Sequence, residues 1–160
     1  MIEKQISTTI QVFDSVLELP ESIQELMKNA IEARGSAYAP YSKFKVGAAL
    51  VLTNGKLVKG SNQENASYPS GLCAERTAIY AAGANYPNQK IEALAITATS
   101  EKHEVPEPIA PCGACRQAIA EYEQKQEKPI PIYFMGSSGK VIHVKALLDI
   151  LPLAFDNKFL

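Results

Sequence analysis

The chain has 160 residues, of which 46% are hydrophobic and 21% are charged, and this composition predicts one globular domain over residues 1–160. Its 16 basic and 17 acidic residues leave a formal net charge of −1, so it lacks the basic surplus of a nucleic-acid-binding protein, and polynucleotide substrates are disfavoured. No apolar run is long enough to span a membrane, and Met1–Gln5 leads into no signal-peptide core, so we expect a cytoplasmic protein with no membrane partner.

The first part of the chain predicts a strand, a helix and a hairpin. Residues 5–13 are rich in β-branched side chains, which favour an extended strand. Apolar residues then recur at helical spacing from residue 21 to about residue 38, and Pro40 ends this predicted helix. Strands over 46–52 and 57–62 flank an Asn-Gly sequence, which is typical of a β-hairpin turn.

The rest of the chain alternates between helical and extended patterns. In order, the sequence predicts a helix over 73–83, a strand over 91–99, a helix over 112–125, strands over 129–135 and 141–144, and a short helix over 145–150. Such alternation favours a central sheet with helices on both faces. The predicted fold class is therefore α/β, with three layers in the order α/β/α.

Three cysteines, Cys73, Cys112 and Cys115, lie where helices are predicted to begin. An odd count in a reducing compartment argues against a disulfide framework and leaves metal binding or catalysis. Because Cys112 and Cys115 are three residues apart, both sulfurs project from one face of a first helical turn. Helix N-termini favour thiolates, and three thiolates with a fourth position open to water are typical of catalytic zinc.

Other interpretations of the cysteines stay open at this point. A C-x-x-C pair alone is also compatible with a redox dithiol or with half of a structural zinc site, and a lone cysteine is most often a small buried hydrophobe. The two histidines, His103 and His143, lie outside the motifs, and we expect them at the surface or in the core.

Glu75 separates these alternatives, because a structural zinc site needs no base. It lies two residues after Cys73, about 200° around a helix from it, which is too far round to ligate the same ion. It can still accept a proton from water at the fourth zinc position and return it to leaving ammonia.

Five ordered blocks of sequence resemble those of the zinc-dependent cytidine deaminases. The C-A-E and P-C-x-x-C motifs have the form of the established zinc-deaminase signature in its three-cysteine version. The blocks cover residues 37–50, 60–68, 73–78, 111–117 and 150–155. The resemblance implies a central mixed five-stranded sheet, one Zn²⁺ per subunit, and hydrolysis of free cytidine and deoxycytidine to uridine and deoxyuridine plus ammonia in pyrimidine salvage.

The resemblance also assigns roles at the reacting end of the substrate. It implies that Cys73, Cys112 and Cys115 bind zinc and that Glu75 is the proton shuttle beside a zinc-bound hydroxide, where it also bonds the cytosine ring nitrogen. Arg76 would donate to a zinc-bound sulfur, and a cation there offsets the net negative charge of three thiolates on Zn²⁺.

Further roles implied by the resemblance concern the rest of the nucleoside and the assembly. The family's three-cysteine members are homotetramers whose sites are completed by neighbouring chains. The implied substrate-binding and positioning residues are Phe44 against the pyrimidine, the Ala74 backbone at the base edge, Asn62 and Glu64 on the ribose hydroxyls, Ala66, Tyr68 and Phe155 at a shared site, and Gln117 beside Arg76.

The sequence departs from the family's usual pattern in two places. Residues 1–20 precede the usual start and are expected to form an N-terminal extension with an extra edge strand. The loops at 86–89 and 103–108 are longer than in compact members and are expected to affect access to the pocket.

Three rival functions remain beside a cytidine deaminase. A blasticidin-type deaminase would share the zinc site but need not carry Phe44, Asn62 and Glu64. A zinc-stabilised module without turnover would not need Glu75. A nucleic-acid deaminase is disfavoured by the net charge.

Overall fold

A mixed sheet with three helices around it forms the core of the computed structural model, which describes residues 1–160. The strands are β1 Gln11–Phe13, β2 Phe44–Leu52, β3 Leu57–Ser61, β4 Ile91–Ser100, β5 Ile132–Met135 and β6 Val141–Val144, and the helices are α1 Glu21–Ala33, α2 Ala74–Asn85 and α3 Gly113–Gln126. The six strands lie in the order β1-β6-β5-β4-β2-β3. The β4–β5 pair is parallel, and every other pair is antiparallel.

The helices cover both faces of this sheet. On one face, α1 places Leu26, Met27 and Ala30 in a buried cluster with strand residues such as Ala49 and Ala95. The opposite face is covered by α2 and α3, whose buried residues share a larger cluster with β2, β4 and β5. Alternate residues of a strand point to opposite faces, so a single strand such as β2 supplies both clusters. The predicted three-layer α/β/α architecture is confirmed.

The sheet has six strands where five were expected. The additional strand is β1, which pairs with β6 in the register Gln11↔His143 to Phe13↔Val141. Only three residues of the predicted segment 5–13 form this strand, and its pairing ends at His143 although β6 continues to Val144. Residues 1–10 have no regular secondary structure and are exposed.

Two element boundaries differ from the predictions for identifiable reasons. Helix α1 ends at Ala33 rather than near residue 38 and continues as the 3-10 turn Arg34–Ser36, which contains the poor helix former Gly35. Strand β5 begins at Ile132 rather than residue 129, since prolines at 129 and 131 have no N–H to donate to a neighbouring strand.

Two glycines let helices approach the sheet closely from opposite faces. A side-chain carbon at Gly47 would lie 2.0 Å from the carbonyl oxygen of Ala30 in α1. One at Gly60 would lie 2.4 Å from the carbonyl oxygen of Ala74 in α2. The start of α2 therefore rests directly on the backbone of β3. None of the helices combines the length and apolar character needed to cross a bilayer.

Candidate metal centre and active-site cleft

The two helices on the same face of the sheet begin at the cysteines. Cys73 is the N-cap residue of α2 and Cys112 is the N-cap residue of α3, both with extended backbone, while Cys115 lies inside the first turn of α3. The ligand atoms of the three residues lie within 4.8 Å of one another. Two helix N-termini thus converge on one point, and their partial positive charges favour thiolates there.

The sulfur atoms have the spacing that a zinc ion requires. The Cys73 and Cys112 sulfurs are 3.8 Å apart, and those of Cys112 and Cys115 are 3.5 Å apart. Tetrahedral zinc with Zn–S bonds of about 2.3 Å separates its sulfurs by about 3.8 Å. All three cysteines are free thiols, with Cys112 exposed, Cys73 half-buried and Cys115 buried. The donor set fits one zinc ion with an open side toward solvent.

The surroundings of the sulfur cluster favour an ionised thiol at Cys73. A hydrogen bond with Cys115, together with the neighbouring Arg76, lowers the pKa of Cys73 to about 5, although burial opposes this. The pKa of Cys115 is raised in turn by the same bond and by burial. Burial acts to lower the pKa of Arg76, but bonding to Cys73 and the charge of that thiol outweigh it and raise the pKa. The Nε of Arg76 is buried without a hydrogen-bond partner in the chain.

Glu75 is a buried carboxyl beside this cluster. Glu75 is only 4% exposed to solvent. Burial raises the pKa of Glu75, and the negative charge of Cys73 raises it further. A carboxyl whose pKa is raised above its ordinary value is suited to taking up and releasing a proton.

A cleft of about 690 Å³ opens over the cysteines and Glu75. Its size falls within the usual range of small-molecule sites, about 300–1,000 Å³. The predicted site residues that line it are Phe44, Asn62, Glu64, Tyr68, Cys73, Glu75, Arg76 and Cys112. The apolar side chains of Val46, Ile96 and Ile109 also line the cleft. A smaller cavity of about 200 Å³ lies at the far ends of α2 and α3 and contains none of the predicted site residues.

Asn62 and Glu64 are both held by backbone groups near the start of β2. The Asn62 amide accepts the N–H of Val46 and donates to the carbonyl oxygen of Phe44, each at 2.8 Å. The Glu64 carboxylate accepts the N–H groups of Tyr41 at 2.9 Å and Ser42 at 3.3 Å. A side-chain hydrogen bond with Ser42 is the main reason why the pKa of Glu64 is below its usual value. Glu64 therefore presents an ionised carboxylate to the cleft.

Five other predicted residues, among them the buried Cys115, lie outside the lining of this cleft. Ala74 is fully buried between Cys73 and Glu75, and Ala66 is exposed. Phe155 is 59% exposed and stacks on Phe159. Gln117 donates its amide N–H to the carbonyl oxygen of Phe155 at 3.0 Å, and no hydrogen bond joins it to Arg76.

The sequence analysis missed Arg116, which joins the metal centre to the C-terminal segment. Its Nε donates to the carbonyl oxygen of Pro111 at 2.8 Å, and its Nη1 donates to that of Ile150 at 2.6 Å. Its position directly after Cys115 was the only signal in the sequence. The contacts of Tyr41 and Ser42 with Glu64 were missed as well, because they span more than twenty residues.

Comparisons with known proteins agree with this geometry. Residues 20–127 match the family model for the cytidine and deoxycytidylate deaminase zinc-binding region. A cytidine deaminase of Halalkalibacterium halodurans is 40% identical over 132 residues, which are 82% of this chain and 92% of the relative. One from Sporosarcina psychrophila is 38% identical over 136 residues, or 85% of this chain and 93% of the relative.

Solved structures of similar proteins share the fold. The crystal structure of cytidine deaminase from Burkholderia pseudomallei has a TM-score of 0.71 and 40% identity, with 86% of this chain and all of that one covered. That of cytidine deaminase from Mycobacterium tuberculosis has a TM-score of 0.65 and 31% identity, with 86% and 99% covered. The part of this chain outside these alignments is thus additional to both.

Proposed function

This chain belongs to the zinc-dependent cytidine deaminase family, and from that premise we propose that it hydrolyses free cytidine and deoxycytidine to uridine and deoxyuridine, releasing ammonia. The proposal rests above all on three clustered cysteine sulfurs beside one cleft, which Cys73, Cys112 and the buried Glu75 line. We assign the reaction to pyrimidine salvage in the cytoplasm. A cluster of three free thiols suits a reducing compartment.

The chemistry divides between zinc and the residues around it. Zinc bound by Cys73, Cys112 and Cys115 supplies a Lewis acid that makes water nucleophilic near neutral pH. As the water oxygen bonds to C4 of cytosine, Glu75 would take one proton from the water and pass it to ring N3. It would then carry the remaining hydroxyl proton to the amine, which leaves as ammonia when the C4–N bond breaks. The pKa of Glu75, raised by burial, supports this role, because a shuttle must bind the proton between the two transfers.

Other side chains of the cleft orient the nucleoside. Phe44 is proposed to pack against the pyrimidine, and the backbone of Ala74 to bond the base edge. Asn62 and Glu64 are proposed to hold the sugar hydroxyls. An ionised Glu64 accepts hydroxyl protons but repels a phosphate, which favours nucleosides over nucleotides. Arg76 is proposed to stabilise the thiolates by its charge.

Ammonia release and Glu75 variants test this function directly. The purified protein should contain one zinc per chain and release ammonia from cytidine and deoxycytidine. Glu75→Gln should lower kcat by about 10²–10⁴-fold while zinc stays bound, since only the proton transfer is lost. Glu121→Gln, at an exposed glutamate of α3, is the matched control and should keep the wild-type rate. Full activity of Glu75→Gln would rule out the proposed mechanism.

A homotetramer with shared sites is the proposed assembly. The exposed Phe155 ring is available to a neighbouring chain, and Ala66 and Tyr68 lie exposed in the segment before the metal centre. Light scattering should give a mass four times that of one chain. Mixing inactive Glu75→Ala with impaired Phe155→Ala chains, unfolded and refolded together, should restore part of the activity if Phe155 acts on a neighbour's site. No recovery in mixed oligomers would contradict sharing through Phe155.

A further inference from the structure

The loop between α1 and β2 forms a small cradle for Glu64. The backbone N–H groups of Tyr41 and Ser42 both point at the same carboxylate oxygen, Oε2, at 2.9 and 3.3 Å. Two successive backbone N–H groups that face one anion form a concave anion site in proteins. This engagement of Oε2 leaves the remaining acceptor capacity of the carboxylate for hydroxyl groups of a ligand.

Ser42 connects this cradle to Phe44. Its Oγ accepts the backbone N–H of Phe44 at 2.9 Å, while its own N–H donates to Glu64 and its hydroxyl supplies the side-chain hydrogen bond that lowers the pKa of that carboxylate. Ser42 therefore contacts both the Glu64 carboxylate, which is proposed to bind the sugar, and the backbone of Phe44, which is proposed to pack against the base. Both of those residues line the cleft, and so does Ser42.

The turn at Lys43 fixes the backbone between these two contacts. Lys43 has φ +61°, a left-handed backbone conformation that residues other than glycine seldom adopt. Its N–H donates to the carbonyl oxygen of Ala39 at 3.1 Å, and its carbonyl accepts the N–H of Glu101 at 3.0 Å. The Ser42 hydroxyl bond spans this residue, so it supports the turn that aims the cradle.

We infer that Ser42 is a positioning residue for substrate recognition, which sets the distance and orientation between the Glu64 carboxylate and the Phe44 ring so that base and sugar of one nucleoside are bound together. The inference rests on the proposed function, in which Glu64 binds sugar hydroxyls. Ser42 acts through its neighbours and touches no reacting atom. Substitution of Ser42 should therefore affect only substrates whose hydroxyl groups donate hydrogen bonds to Glu64.

Steady-state kinetics with two substrates tests this role. Ser42→Ala should raise KM for cytidine about tenfold, the worth of one well-placed hydrogen bond, and change kcat by less than about threefold. With 2′,3′-dideoxycytidine, which lacks the 2′ and 3′ hydroxyls proposed to bond Glu64, the same variant should differ from wild type by less than about twofold in kcat/KM. Ser42→Thr keeps the hydroxyl and should restore KM.

Two controls separate positioning from a general loss of structure. Ser15→Ala removes an equivalent bond, from the N–H of Leu17 to Oγ at 3.2 Å, at a position outside the cleft, and should leave both substrates unaffected. In a double-mutant cycle, adding Ser42→Ala to Glu64→Ala should cost less than about twofold, since the cradle then holds nothing. Zinc content and thermal unfolding verify that each variant is folded.

The outcomes distinguish this inference from the proposed function. If Glu64→Ala impairs cytidine and dideoxycytidine equally, the sugar-binding role of Glu64 is wrong, and the proposed function fails at that point. Suppose instead that Glu64→Ala impairs cytidine but not dideoxycytidine, while Ser42→Ala impairs both substrates equally or neither. Ser42 is then not a positioning residue, and the proposed function still stands.

Discussion

Gly60→Ala is the sharpest test of how the sheet positions the metal centre. The added carbon would lie 2.4 Å from the carbonyl oxygen of Ala74 and 2.5 Å from the backbone nitrogen of Ala78. Both contacts are with the backbone of α2, which cannot rotate away as a side chain can. Since Ala74 lies between Cys73 and Glu75, the helix must move and take with it these two residues, the proposed zinc ligand and proton shuttle.

The size of the effect follows from these distances. A carbon–oxygen contact shorter than about 3.3 Å is rare, so α2 and β3 must separate by roughly 1 Å. Overpacking of this kind costs about 1–3 kcal/mol in the free energy of unfolding. In a chain of this length each kcal/mol shifts the thermal midpoint by about 2–4 °C. A catalytic group misplaced by about 1 Å loses on the order of 10²-fold in rate.

Two control variants separate stability from activity in this experiment. Gly47→Ala makes a comparable clash on the opposite face, 2.0 Å from the carbonyl oxygen of Ala30, so it should lower the melting temperature similarly while kcat/KM falls only a few-fold. Gly35→Ala meets no atom within 4 Å and should change neither quantity. Wild-type kcat/KM in Gly60→Ala, or an equal loss in Gly47→Ala, would refute the reasoning.

Three other predictions concern stability and the metal. Burial raises the pKa of Glu123, so the folded chain keeps a proton there that the unfolded chain releases. The free energy of unfolding should therefore fall as the pH rises from about 4.5 through the raised pKa. Urea unfolding across this range should show that Glu123→Gln removes that part of the fall. Deleting residues 1–10 should leave the melting temperature within about 1 °C, while deleting 1–13 should lower it by a few degrees through loss of β1 and of the 2.7 Å Gln11–His143 bond, with kcat unchanged in both. Stripping the metal with a chelator should abolish activity and lower the melting temperature, and one equivalent of Zn²⁺ per chain should restore both; a stripped chain that keeps its activity would contradict the metal assignment.

The order of the elements followed from hydrophobic periodicity, but their ends did not. Periodicity identifies which segments bury a face, and it placed α2, α3 and β6 within one or two residues of their observed bounds. The ends depend on hydrogen-bond partners that a sequence does not show. Strand β1 keeps only the three residues that pair with residues 141–143 of β6, and the prolines at 129 and 131 have no N–H with which to extend β5.

The metal centre was predictable because its information is local. Cys73 and Cys112 each begin a helix, and the i, i+3 spacing of Cys112 and Cys115 already places their sulfurs side by side. The contacts around Glu64 were not predictable in this way, since Tyr41 and Ser42 approach it only after the sheet has formed. The stacking of His143 on Tyr133, with a bond to Gln11, likewise depends on the β1–β6 pairing.

Helix α3 connects two parts of the proposed site that lie far apart in the sequence. Through Arg116 it holds the carbonyl oxygens of Pro111, just before a zinc ligand, and of Ile150, at the start of the C-terminal segment. One residue later, Gln117 holds the carbonyl oxygen of Phe155. The same helical turn therefore helps to fix both the position of Cys112 and the direction in which the Phe155 side chain projects. If Phe155 completes a neighbour's cleft, substitutions of Arg116 should disturb zinc binding and subunit assembly together rather than either one alone.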